Sequence, residues 1–372
     1  MIVKNEAHCI ERCLNSCKPL IDYICINDNG STDNTVEKII SWSGKNNIPC
    51  IILDNSWVSF DVNRSLVLEF LYTKEMIDYV LMIDADEVLV FQAGLNIEKL
   101  KESLTCDLYD VEARLGGVVY ARPQFSSNKR KFSYIGVVHE IIKPLEEVRS
   151  RETIKGFFNY PIQDSARNKD PEKYRKDADA IREAIKHTTD PSLLSRYTFY
   201  LAQCCKDSGQ LNEAVEVYLT VPDFQGWTEE KYLSLLTAGR LMKNEQVTRK
   251  DSLNCFFRAL DYSIDRAEAL YEIMVVLKGE NRFYAAYIFG KEALKKTKKV
   301  DALFLENWIY DYSLAYEMSI IAWYANDKEL AKRLTEESAA NLACPQNFRD
   351  QAKENLKFYP QSAPTPAPSA GT

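Results

Sequence analysis

The chain has 372 residues, enough for two domains that each bury a core. Its hydrophobic content of 46% and charged content of 27% are ordinary for a soluble globular protein. A formal net charge of −7 weighs against nucleic acid or an anionic membrane as the main partner, because those surfaces select basic patches.

The start, "MIVKNEAHCIERC", has no basic segment followed by a long apolar run, and no later stretch approaches the roughly 18 to 20 apolar residues that a spanning helix needs. A cytoplasmic protein with reduced thiols and no membrane span is expected. "MIV" reads as a first strand, and Ile10, Cys13, Leu14 and Cys17 then mark one face of a helix. Cys9, Cys13 and Cys17 lie four apart, but zinc sites use shorter gaps and a fourth ligand, so the ten cysteines are read as structural. "YICIN" (23–27) is a second strand, followed by the turn-rich "DNGSTDNT" and a helix through Val36, Ile39 and Ile40. "CIIL" (50–53) is a third strand, 62–74 a helix, and "YVLMI" (79–83) a fourth strand. Repeated strand–helix–strand units imply a parallel sheet with helices on both faces, whose ligands gather at the carboxyl ends of the strands.

From about 108 to 160 the pattern changes to short β-like segments. Beyond Asp170 helices continue to about Phe358. In "RYTFYLAQCCKDSGQLNEAVEVYL" the spacing of Ala202, Gly209, Ala214 and Tyr218 suits a tetratricopeptide helix hairpin. The stretches 281–294 and 326–339 echo its second helix. The tail "PQSAPTPAPSAGT" (360–372) is expected to be disordered.

The segment "YVLMIDADEVLVF" (79–91) sets Asp84, Asp86 and Glu87 where a buried strand should end. Two carboxylates about 4 Å apart repel by roughly 4 kcal/mol at an effective dielectric near 20. A cation between them removes that cost, and hard oxygen ligands suit Mg²⁺ or Mn²⁺ held together with a substrate's phosphates. Solvated loop acids are the plain alternative. The second acid cluster at Asp28, also after a strand, favours a functional role.

These segments, with "INDNGSTDNT", "NRSL", "YIGVVHE" and "YPIQDSARNKDPEKYRKDA", resemble a family-2-type glycosyltransferase of the GT-A fold, fused to a tetratricopeptide-like helical domain. The resemblance runs from Met1 to about Tyr359. It implies an α/β GT-A mixed-sheet domain (1–168) and an all-α helical-hairpin domain (169–359). It further implies a metal-dependent, inverting transfer from a nucleoside-diphosphate sugar, uridine-linked, with Mn²⁺ or Mg²⁺ as cofactor. Val3, Asn5, Glu6 and Asp28 would hold base and ribose, Arg64 and Arg167 would approach the nucleotide or its phosphates, and Asp84 and Asp86 would be the metal-contacting pair. Asp28 has a competing reading as a turn residue, and Arg167 as a helix-capping ion pair. Gln163 and Asp164 belong to a late loop expected to reach the metal or diphosphate. Glu140 is the leading candidate for the base, with Glu87 and Asp164 behind it. His139 is read as a metal ligand, an acceptor-site donor or a core histidine, while His187 and Trp57 are left structural. The acceptor is open among protein, glycan and small molecule, and the helical domain would recognise it or make a homodimer. A nucleotidyltransferase would need a Gly-rich basic loop near the first strand, which "VKNEAHCIER" lacks. A scaffold carrying a dead transferase domain is opposed by the intact acids.

Overall fold

The computed structural model describes residues 1–115, 118–299 and 302–359, so the expected tail at 360–372 lies outside the described residues. The chain forms two compact units, Met1–Glu230 and Lys231 onward.

In the first unit β1 (Ile2–Val3), β2 (Ile24–Asp28) and β3 (Cys50–Asp54) form a parallel sheet, joined by α1 (Ile10–Cys17) and α2 (Thr35–Asn46). The helix α3 (Phe60–Leu71) leads to β4 (Tyr79–Leu81) and β5 (Glu87–Phe91), and α4 (Ile97–Glu102) follows. Alternation along the strands separates two apolar layers. Ile24 and Ile26 pack with Ile10, Cys13, Leu14, Ile39 and Trp42 of α1 and α2, whereas Cys25, Val80 and Met82 pack with Val67, Leu68 and Leu71 of α3. The expected helices on both faces are therefore present. The cysteines are free thiols, and all but Cys50 are buried.

One expectation is corrected. The fourth strand does not extend the parallel sheet; β4 pairs antiparallel with β7 (Val118–Ser127) at the edge of a mixed sheet ordered β4-β7-β6-β11-β5. Here β6 is Leu108–Leu115 and β11 is Phe157–Pro161, while β10 (Arg151–Thr153) adds to β6. With only Ile2 and Val3 in it, β1 offers too little ladder to pair on both sides. Within the run of short β-like segments, the chain around "GVVHE" forms a hairpin, β8 (Phe132–Ile135) and β9 (Ile141–Pro144), closed by residues 136–140.

The helical series starts inside this unit with α5 (Lys173–His187), α6 (Pro191–Asp207) and α7 (Leu211–Thr220), and α8 (Thr228–Leu241) runs across the division. Composition changes near 168, but compactness divides at Glu230 because α5–α7 belong to the sheet domain's unit. The second unit continues with α9 (Ser252–Leu260), α10 (Glu268–Gly279), α11 (Phe283–Ala293), α12 (Leu314–Tyr324), α13 (Lys328–Ala340) and α14 (Gln346–Leu356). The three hairpin turns carry a left-handed residue after the first helix: Gly209 at φ 81°, Asn281 at 58° and Asn326 at 69°. No helix among the described residues is long and apolar enough to cross a membrane.

Candidate active site

The carboxyl edge of the parallel sheet is built from two interlocked turns. After β1, Asn5 adopts φ 59°, a left-handed conformation that asparagine tolerates. Its N–H donates to Ser31 Oγ at 3.0 Å, and its side-chain oxygen accepts from Thr32 N at 2.7 Å. Val3 is buried in β1, and its carbonyl accepts from Asn29 N at 2.9 Å. Glu6 donates its N–H to Thr35 Oγ1 at 2.8 Å, while Asp33 accepts from Ala7 N at 3.2 Å and Thr35 N at 3.1 Å. Asp28 accepts from Gly30 N, Ser31 N and Ser31 Oγ at 3.2, 3.0 and 2.6 Å, so its carboxylate organises its own turn. Ser31, Asp33 and Thr35 are thus the scaffold that shapes this edge.

The acids after β4 divide into different roles. Glu87 is buried and fully engaged: Arg122 contacts Oε1, while Oε2 accepts from Asn159 Nδ2 at 2.9 Å and Asp84 N at 3.1 Å. Burial raises its pKa, and Arg122 opposes that rise. Such a group braces the turn and leaves little room for base chemistry. Asp84 gives Oδ1 to Arg64 Nη2 at 2.6 Å. Asp86 gives Oδ2 to Ser165 N at 3.2 Å and Asn168 Nδ2 at 3.1 Å. Oδ2 of Asp84 and Oδ1 of Asp86 take no hydrogen bond among the described residues.

Arg64, buried on α3, joins two predicted site residues. Its Nε donates to Glu140 Oε1 at 2.5 Å while Nη2 holds Asp84, and its guanidinium lies 5.7 Å from the Tyr134 ring. Burial alone would lower the Arg64 pKa, but the two carboxylates carry it upward. Burial likewise pushes Asp84 up, and Arg64 more than offsets it, so its pKa is lowered. The Glu140 side chain is 12% exposed, and its Oε2 takes no hydrogen bond among the described residues. His139 stacks on Tyr200 with ring centroids 3.9 Å apart. His139 as a whole is exposed, but desolvation of its ring stacked on Tyr200, then Arg196, Arg167 and Lys173, lower its pKa to about 3. Its imidazole is neutral at ordinary pH.

The late loop closes onto these acids. Ala166 N reaches the Glu6 carboxylate at 3.3 Å, and Ser165 and Asn168 bind Asp86. Proximity to Asp86 adds to burial in raising the Glu6 pKa. Gln163 is exposed, with φ 62°. Both oxygens of Asp164 are taken by Arg12, at 2.9 and 2.6 Å, and its pKa is lowered by that pair. Arg167 pairs with Asp177 of α5 and lies 4.4 Å from the Phe60 ring. Outside the site, His187 pairs with Glu183 on the surface of α5, and Trp57 packs edge-on against Phe60.

Asp84 and Asp86 each keep an unbonded carboxylate oxygen, the donor type that suits a hard divalent ion such as Mn²⁺ or Mg²⁺, whereas His139 is not brought to them; among the described residues the three-residue cluster with ligand atoms within 4.8 Å of one another is Glu6, His8 and Cys9. Arg167, Lys173 and Arg196 add positive charge around His139. Sequence reasoning did not single out Arg12, Arg122, Asn159, Arg196 or Tyr200. The only signals were an arginine in the "ARPQFSSN" run and aromatics three apart, Tyr197 and Tyr200, in "RYTFYLAQ".

Residues 1–104 match the family model for glycosyl transferase family 2. A TPR repeat-containing protein of Synechococcus elongatus is 26% identical over 147 residues, which is 38% of this chain and 34% of that protein. The chain thus spans about a third of the curated relative it matches. Among solved structures, BtubC (BKLC) from P. vanneervenii superposes at TM-score 0.36 and 16% identity, over 54% of this chain and 79% of that one. S. aureus TarS 1–349 in complex with UDP-GlcNAc gives 0.32 and 15%, over 71% and 87%. Scores this low carry no argument about fold or ligand. Residues 1–104, which carry Asp28 after β2 and Asp84 and Asp86 after β4, are thus similar to glycosyl transferase family 2, and a series of helices follows from α5 onward.

Proposed function

We propose that the first unit is a metal-dependent, inverting glycosyltransferase that moves a sugar from a uridine-linked nucleoside-diphosphate sugar to an acceptor. The observation that carries this reading is the end of β4. Asp84 and Asp86 keep unbonded carboxylate oxygens there, inside the segment that matches glycosyl transferase family 2. Asp84 and Asp86 would hold a divalent ion. When bound, that ion supplies positive charge to a departing diphosphate.

The chain's own residues do the rest. The turns around Asn5, Glu6 and Asp28 offer backbone and side-chain polar groups for base and ribose, and Val3 backs them from the strand. Arg64 fixes Asp84 and Glu140 relative to each other, so a proton acceptor and a metal ligand share one rigid support. Glu140 Oε2 would take the proton from the acceptor nucleophile as it attacks the anomeric carbon opposite the leaving diphosphate. Asp164 serves by locking the late loop to Arg12. Arg167 would turn from Asp177 to a phosphate oxygen when donor binds. The helical second unit would recognise the acceptor (protein, glycan or small molecule) or pair two copies of the chain.

A panel of nucleotide sugars, assayed for nucleoside-diphosphate release with and without Mn²⁺, tests the reading. Release should require the ion, favour a uridine donor and vanish in Asp86→Asn. Unchanged turnover in that variant would remove the metal assignment.

A further inference from the structure

The turn that carries Glu140 is held by a helix that its sequence assigns to another domain. Residues 136–140, "GVVHE", link β8 to β9. Gly136 has φ 111°, and a Cβ there would meet Glu140 Cα at 3.3 Å, so the turn is tight. His139 has φ 52°, a left-handed conformation that a non-glycine residue keeps only where its surroundings impose it.

Those surroundings are mostly α6. Arg196 donates from Nη2 at 3.0 Å and from Nε at 3.3 Å to the His139 carbonyl. Tyr197 Oη accepts from Val137 N at 3.2 Å. The Tyr200 ring stacks on the His139 imidazole at 3.9 Å and 12°. Positions 196, 197 and 200 share one helix face, and each is fixed in turn. Arg196 pairs with the buried Glu230 at 2.7 Å and lies 4.8 Å from the Tyr200 ring, while Tyr197 is buried. From the other side Asp61 accepts from Gly136 N at 3.0 Å, and Arg64 holds Glu140. Apolar packing would only bring helix and turn close together. Polar contacts to the turn's own N–H and C=O groups fix how it is oriented.

We infer that α6 is part of the reaction machinery, with Arg196, Tyr197 and Tyr200 as positioning residues that hold residues 137–139 so that Glu140 faces the acceptor. This rests on the glycosyltransferase reading above. It explains why the compact unit extends to Glu230: the first helices complete the catalytic turn instead of beginning a free repeat array.

The test uses the full chain with Tyr200→Ala, Tyr200→Phe and Arg196→Met. Amide hydrogen exchange of the 136–140 segment, without ligand, should speed up about tenfold in Tyr200→Ala and Arg196→Met. Donor turnover should fall about 10- to 100-fold in both, as expected for a displaced catalytic group. The dissociation constant for uridine diphosphate with Mn²⁺ should stay within about twofold, because a misplaced base costs kcat and spares donor binding. Tyr200→Phe, which keeps the stacked ring, should recover most of the turnover. Unchanged exchange in both disruptive variants overturns the clamp. Undiminished turnover in them, with an active wild type, overturns the inference alone. A wild type without metal-dependent turnover overturns the transferase reading and the positioning role with it.

Discussion

Replacing Arg64 by methionine should cost the first unit about 4 kcal/mol near neutral pH, most of it from Glu140. Arg64 is 8% exposed and bridges Asp84 at 2.6 Å and Glu140 at 2.5 Å. Methionine keeps much of the volume but leaves two carboxylates facing each other. The Glu140 side chain is 12% exposed, so its share approaches the cost of breaking a buried pair, about 3 kcal/mol. The Asp84 side chain is 34% exposed, and solvent reduces its share to about 1 kcal/mol. The pH dependence has a definite sign. Arg64 holds the Asp84 pKa below its ordinary 3.8, so the stability it adds is complete above that value and is lost as pH falls through the folded value. The difference between wild type and variant therefore shrinks as pH falls through the folded Asp84 value. Urea unfolding of the first unit near pH 7.5 and near pH 3 measures both effects. A gap below about 1 kcal/mol near pH 7.5, or one that widens near pH 3, would refute the bridge as the brace of this site.

Three further outcomes are expected. Gly290→Ala sets a Cβ against Met318 Sδ and 2.7 Å from Met274 Sδ, so the second unit should lose about 1–3 kcal/mol in a calorimetric scan, leaving the transition of the first unit in place. A single merged transition that shifts as a whole would contradict the two-unit division. His139→Gln should flatten the acid limb of stability. A histidine held down to about 3 contributes fully above its ordinary 6.5 and loses that contribution as pH falls from there toward 3, so identical slopes in wild type and variant would rule out the neutral imidazole. Asp190→Ala removes the cap that accepts from Ser192 N at 2.9 Å and Leu193 N at 3.3 Å, and should cost about 1 kcal/mol in urea unfolding, with exchange at the start of α6 rising first.

Much of the architecture was legible because it rests on short-range patterns. The faces Ile10–Cys13–Leu14–Cys17 and Val67–Leu68–Leu71 are helical periodicities, and the alternation of Ile24, Cys25 and Ile26 is that of a strand covered on both sides. Gly209 between Ala202 and Ala214 marked the first helix hairpin, and the echoes of its second helix at 281–294 and 326–339 marked two more, whose turns carry Asn281 and Asn326. What stayed hidden depends on partners distant along the chain. Glu87 resembles its neighbours Asp84 and Asp86 in sequence, yet Arg122, Gln124 and Asn159 from β7 and β11 turn it into a buried brace. Asp164 stood out as a ligand candidate because nothing near it in sequence announces Arg12, 152 positions away. The pairing of β4 was misjudged because apolar content gives a strand's burial but not its neighbour. The role of α6 was masked by its likeness to a repeat helix, whose small and aromatic spacing it shares.

The central claim is that Asp84 and Asp86 seat a divalent ion against a nucleoside diphosphate. Its most direct test is calorimetric titration of uridine diphosphate into the full chain, with and without Mn²⁺, for wild type and Asp84→Asn. The account predicts binding heat that needs the ion in wild type and is lost in the variant. Equal heats with and without Mn²⁺, or wild-type binding retained in Asp84→Asn, would contradict it.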